Sequence, residues 1–206
     1  MSIVKLSNNG VKNATAFGSI TGLGSMVFIK KLTASSSATL SFVHGSSDVV
    51  LDNTYKEYLF TFNNIHAQTD LTEFSFNLSI DSGSNYNIAK TSTFIEIYHN
   101  ENDANAGMGY GSSHDLAQGT GLQRMTTNQG NASDESASGY LHLFNPSSTT
   151  FVKHFIATCN SASVQPMTTQ TFLAGYFNTT SAITGIQFKQ NTGNIDAGDI
   201  CLYGIA

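Results

Sequence analysis

The stretch Phe74-Ser75-Phe76-Asn77-Leu78-Ser79-Ile80 alternates apolar and polar residues without a break. Successive side chains of an extended chain point to opposite faces. Phe74, Phe76, Leu78 and Ile80 therefore share one face, and Ser75, Asn77 and Ser79 the other. That is the pattern of a half-buried strand, one face in a core and one in solvent. Upstream, Tyr58-Leu59-Phe60-Thr61-Phe62 again sets its aromatics at every second position. Outward from these two, further strands read at residues 26–32, 39–43, 91–99, 139–144, 151–159, 171–177, 183–189 and 200–205. The set amounts to about ten strands, separated by turns such as Asp81-Ser82-Gly83-Ser84-Asn85 and Asn191-Thr192-Gly193-Asn194.

Many short strands with Gly- and Asn-rich turns, and no helical segments to make parallel crossovers, predict an all-β protein. The expected architecture is an antiparallel two-sheet jelly-roll sandwich formed by residues 26–206 as a single domain. Residues 1–25, with Asn8-Asn9-Gly10 and Gly22-Leu23-Gly24, read as an N-terminal arm or early hairpin. Residues 100–138 interrupt the strands as one long loop excursion, which could hold a short helix near 114–122. Loops of that length commonly serve a function or a partner.

Charge is scarce. Of 206 residues, 11% are charged, against about 25% in an ordinary soluble domain, and the net charge is −5. Neutral polar groups take their place: 25 Ser, 23 Thr and 19 Asn. There is no basic block for nucleic acid, and no apolar run of the roughly 18 residues that cross a membrane as a helix. No Lys/Arg-flanked hydrophobic segment is read at the start of the chain, so no secretory signal is expected. With 14 Phe and 8 Tyr the chain can build a core, which argues against disorder. Cys159 and Cys201 sit in apolar strand-like segments and read as two small buried hydrophobes of a protein made in a reducing cytosol. Between residues 161 and 206 only Lys189, Asp196 and Asp199 are charged. That segment is expected to supply central strands and surfaces pressed against sister subunits, since interface cores are depleted of charge.

No catalytic or nucleotide-binding motif is present. Ser113-His114-Asp115 groups the three residue types of a hydrolytic triad, but neighbours on a turn rarely converge, and a polar turn is the plainer reading. His142 and His154 lie opposite Leu141/Leu143 and Phe155 on their alternating strands, which gives them solvent-facing or interface roles. Two oxygen-rich stretches are weak calcium candidates, Glu96 with Glu101, Asn102 and Asp103, and Asp81 with Ser84 and Asn85. Neither has the spacing of a dedicated calcium loop, and ordinary turns account for both. Tyr98 and Tyr110, near Asn-rich loops, are possible glycan contacts, although the chain lacks Trp. No catalytic residue, cofactor or metal is expected.

Several phrases carry a family resemblance. They are Glu57-Tyr58-Leu59-Phe60-Thr61-Phe62-Asn63-Asn64-Ile65-His66, Ser82-Gly83-Ser84-Asn85-Tyr86-Asn87 and Asp115-Leu116-Ala117-Gln118-Gly119-Thr120-Gly121. Residues 145–155, from Asn145-Pro146-Ser147-Ser148 to His154-Phe155, and the ending Gly193-Asn194-Ile195 through Leu202-Tyr203-Gly204-Ile205 complete them. Together, over residues 40–206, they resemble virion structural proteins of tailed phages of marine bacteria. The resemblance implies an antiparallel jelly roll serving as a non-enzymatic virion part, often trimeric, made in the host cytoplasm. It transfers no catalytic residues and leaves capsid, tail and fibre open.

The expected function is therefore a capsid-decoration jelly roll that forms a homotrimer and attaches to other virion proteins. The short chain, without a coiled-coil shaft, favours decoration over a fibre. Its expected contacts are residues 1–25, 100–138 and 171–177. The alternative is a tail or fibre module that binds a receptor or host surface glycan. No nucleic acid or membrane partner is expected.

Overall fold

A computed structural model describes residues 26–206. The N-terminal arm expected over residues 1–25 lies outside the described residues. Twelve strands account for the regular structure, and the described residues contain no helix. They are β1 (Met26–Thr33), β2 (Leu40–Val43), β3 (Glu57–Ala67), β4 (Phe74–Ser79), β5 (Lys90–Asn100), β6 (Ala106–Tyr110), β7 (Gln123–Arg124), β8 (Ala137–Phe144), β9 (Lys153–Ala162), β10 (Met167–Phe177), β11 (Gly185–Gln190) and β12 (Ile195–Ile205).

An eight-stranded sheet runs β1-β12-β3-β8-β9-β10-β5-β6, and a four-stranded sheet runs β2-β11-β4-β7. Every pairing between these strands is antiparallel. The pairs β4·β7, β3·β8, β2·β11 and β1·β12 are nested in the chain like the rungs of one long hairpin. Successive rungs alternate between the two sheets. A long hairpin rolled up in this way is a jelly roll. Four strands are additions to that plan. The β5–β6 pair enters between β4 and β7, the β9–β10 pair between β8 and β11, and together they widen the larger sheet beyond β8.

The core lies where the inward faces of the two sheets meet. Phe188 on β11 is its hub, with ring centroids 5.4 Å from Phe60, 5.3 Å from Phe62 and 5.8 Å from Phe74. Phe42 and Phe76 close the ring at 6.3 Å each. These aromatics come from the alternating positions of β2, β3 and β4, so the period-two pattern places the core.

Two details differ from the sequence expectation, and a third agrees with it. The stretch that decided the fold is not half-buried: all six residues of β4 are buried. Its polar face lies under the β4–β5 connection and the chain near residue 121. Asn77 Nδ2 lies 2.8 Å from the Tyr86 carbonyl, 3.0 Å from that of Thr120 and 3.2 Å from that of Gly121. The 100–138 excursion holds two short strands, β6 and β7, and no helix. Its middle ties the sheets together, because Met125 N donates to Phe74 O on β4 and Met125 O accepts from Thr171 Oγ1 on β10. Finally, β10, β11 and β12 each have a neighbour on both sides. The charge-poor end of the chain thus supplies interior strands, as expected of it.

Candidate functional site

The polar residues marked out in the sequence are dispersed over the fold. Ser113 Oγ and His114 Nδ1 share a hydrogen bond of 2.9 Å, but the Asp115 carboxylate accepts from Tyr110 OH at 2.6 Å. That bond pushes the Tyr110 hydroxyl pKa upward. The His114 ring stacks on Phe94, 5.0 Å between centroids, and burial, together with Arg124, lowers its pKa. The carboxylate that would have to orient the imidazole is held by a tyrosine, so the three residues do not form a relay.

The calcium candidates are likewise engaged locally. Glu96 on β5 accepts from Thr127 Oγ1. Glu101 lies five residues further on, which is about 16 Å along an extended strand. Asp103 pairs with His99 across the β5–β6 turn at 2.9 Å. The Asp81 carboxylate accepts from Ser79 Oγ (2.7 Å), Asn85 N (2.9 Å) and Asn85 Nδ2 (2.7 Å), which together hold its pKa down at about 2. Among the described residues no three His, Cys, Asp or Glu side chains gather as a metal site would require.

Tyr98 and Tyr110 fare differently. With Glu96 and the bare backbone of Gly107 and Gly109 they line one hollow of about 300 Å³ at the β6 edge. A Cβ at position 107 would come within 2.9 Å of Tyr98 Oη, so the tyrosine lies flat on the glycine. Tyr110 is half exposed.

A larger feature escaped the sequence reading. On β8, β9, β10, β5 and β6, the face turned away from the core carries no Asp, Glu, Lys or Arg; of its three histidines, His99 and His142 reach acids at its margin, Asp103 and Glu57, and His154 reaches none. Registered rows run straight across it. Thr93, Ala174, Ile156 and His142 stand side by side, and so do Tyr110, Ile95, Phe172, Thr158 and Tyr140. The small side chain of Ala174 leaves a hollow of about 520 Å³ walled by Phe144, His154, Ile156 and Tyr176. A second hollow of about 570 Å³ shares Phe144 and His154 and reaches Phe151. Alternation within a strand reveals which residues point outward. It does not reveal which strands lie side by side, and the face exists only through that order.

Among the described residues two lysines are buried completely, Lys90 and Lys153. Lys90 Nζ donates to Gly121 O and lies 5.1 Å from the centre of the Phe177 ring. Burial pulls its pKa down to about 8. Lys153 Nζ donates to Phe151 O at 2.6 Å, and burial lowers its pKa as well. Both thiols are free and buried, as expected, and burial pushes that of Cys159 up to about 12.

No family model, curated protein or solved structure matches this chain.

Proposed function

We propose that the chain is a non-enzymatic structural protein of a tailed-phage virion, a capsid-decoration jelly roll that self-associates as a homotrimer and attaches to the particle. The observation that carries this reading is where the chemistry-bearing side chains go. Asn77, Gln129, Thr171, Lys90 and Lys153 are buried, and each donates to backbone carbonyls. Polar side chains used this way fix loops to sheets. They suit a part that must keep its shape outside the cell. The resemblance of residues 40–206 to virion proteins supports the same reading, in which the protein is made in the host cytoplasm and resides in the virion.

The test is quantitative mass spectrometry of purified particles. A fixed copy number relative to the major capsid protein is expected, with loss of attachment on deletion of residues 1–25. Absence of the chain from particles overturns the reading. An unchanged copy number after the deletion overturns the role of the arm alone.

The hollow formed by Tyr98, Tyr110 and Glu96 favours a second reading, a tail or fibre module that binds host surface glycan. The Tyr98 ring and the Glu96 carboxylate share one face of the β5–β6 pair and supply stacking and hydrogen bonding to a sugar at this depression, while the register sets the Tyr110 side chain on the opposite face at its rim. A glycan array probed with the parent chain, Tyr98→Ala and Tyr110→Ala separates the two. Binding that both substitutions abolish supports the glycan module, and an array without signal removes it.

A further inference from the structure

We propose that the neutral outward face formed by β8, β9, β10, β5 and β6 is the surface on which a second copy of this chain docks. The inference rests on the reading of the chain as a self-associating part and names the surface that does it.

The first argument is composition in space. A solvated sheet face ordinarily carries charges of both signs, whereas interface cores are depleted of them. This face carries no Asp, Glu, Lys or Arg, although the chain has 14 acids and 9 bases. It also concentrates exposed apolar side chains. Of the 13 large hydrophobics exposed among the described residues, seven stand here, including Phe172 at 47%, Ile156 at 52% and Met108 at 74% exposure.

The second argument is size. Five strands at about 4.8 Å spacing span about 24 Å, and the longer ones extend about 30 Å, so the face offers roughly 700 Å². A stable interface of ordinary size buries about 600–1,000 Å² per partner. The face is large enough to hold a partner on its own.

The third argument selects the occupant. Across a two-fold axis a patch meets its own counterpart, and so do the residues next to a three-fold axis, so an acid there would face an acid. With a net charge of −5, identical copies repel across most of their surface. The neutral face is where they meet without that cost. It also holds both halves of a fit: the hollow over Ala174 and, beside it, the protruding Ile156 and Phe172. A partner recognised by strong charge would leave Asp, Glu, Lys or Arg on the face, and there are none.

Sedimentation velocity of the full chain tests the proposal. The parent is expected to sediment as a multiple of 22.0 kDa at micromolar concentration. The double variant Phe172→Lys/Ile156→Lys is expected to sediment as a single chain, with self-association weakened at least about 100-fold. Leu71→Lys, an exposed position off this face, should keep the parent's mass. A second measurement needs no variant. Diethylpyrocarbonate should modify His154 readily in dilute protein and slowly once the oligomer forms. A monomeric parent overturns the proposal, including one that instead binds lipid vesicles or a different protein. So does an oligomer that keeps its mass in the folded double variant, or in which His154 stays reactive. These last two outcomes leave the virion reading standing, because particle composition decides that independently.

Discussion

Asn77 shows how a single side chain can carry a connection. It sits on a strand with both faces buried, and its amide is the group that reaches the carbonyls of Tyr86, Thr120 and Gly121. Asn77→Leu fills the space but leaves those acceptors without their donor. Unmet buried acceptors cost about 1–3 kcal/mol each, and some will find other partners on relaxation, so a loss of about 3 kcal/mol is expected. Urea denaturation measures it, and a loss under about 1 kcal/mol would show that the loop is held by something else. Lys90 makes a different prediction. Its folded pKa, about 8, lies below the unfolded value of 10.5. Between those limits the unfolded chain binds more protons, so stability rises with pH through that window, and below about pH 8 the burial penalty is fully present. The full rise corresponds to about 3 kcal/mol. Lys90→Met has no proton to lose. The parent's stability relative to the variant should therefore climb from pH 8 towards pH 10.5. Urea midpoints of both proteins at several pH values read the difference, and parallel curves would refute the buried-amine account.

At the scale of elements, β11 holds the two sheets in register through Phe188, which meets aromatic rings from β2, β3 and β4. Phe188→Ala should cost about 4 kcal/mol, since it combines lost burial with a cavity among rigid rings. A thermal or urea transition shifted by less than about 2 kcal/mol would mean that the neighbouring rings collapse into the gap. How legible the elements were follows from the same physics. Strands β3 and β4 declare themselves because large aromatics alternate with small polar residues. The Ala106-Gly107-Met108-Gly109-Tyr110 strand does not, because its two glycines carry no β preference and leave room for Tyr98. Strand β7, of two residues, is too short to show a period at all. Tyr98 and Tyr110 could be marked as candidate contacts from their neighbours in the chain. That Tyr98 and Glu96 share one face at this edge, with Tyr110 on the other, depends on the β5–β6 register, which pairs Tyr98 with Gly107 and Ile95 with Tyr110. The buried lysines were illegible for the opposite reason. Lysine is almost always solvated, and only the covering loops reverse that at Lys90 and Lys153.

At the scale of the whole molecule, the charge deficit determines how an assembly should respond to salt. The described residues hold few ion pairs: Lys31–Asp199 at 3.2 Å and Arg124–Glu73 at 3.6 Å are the two that do not involve histidine, and both are partly solvated. Exposed pairs of this kind contribute about 1 kcal/mol or less. The fold depends instead on aromatic burial and neutral hydrogen bonds, and the proposed docking face on apolar contact. What charge remains is net negative, so between copies it opposes association. Screening shortens the reach of that repulsion from about 10 Å at 0.1 M salt to about 3 Å at 1 M. Added salt should therefore leave the assembly intact or tighten it slightly. Sedimentation of the parent in about 0.05, 0.5 and 1 M sodium chloride should give the same oligomer, with the dissociation constant constant or lower at high salt. Dissociation that steepens tenfold over this range would mean that attractive charge pairs hold the copies together, and the neutral face could not be what joins them.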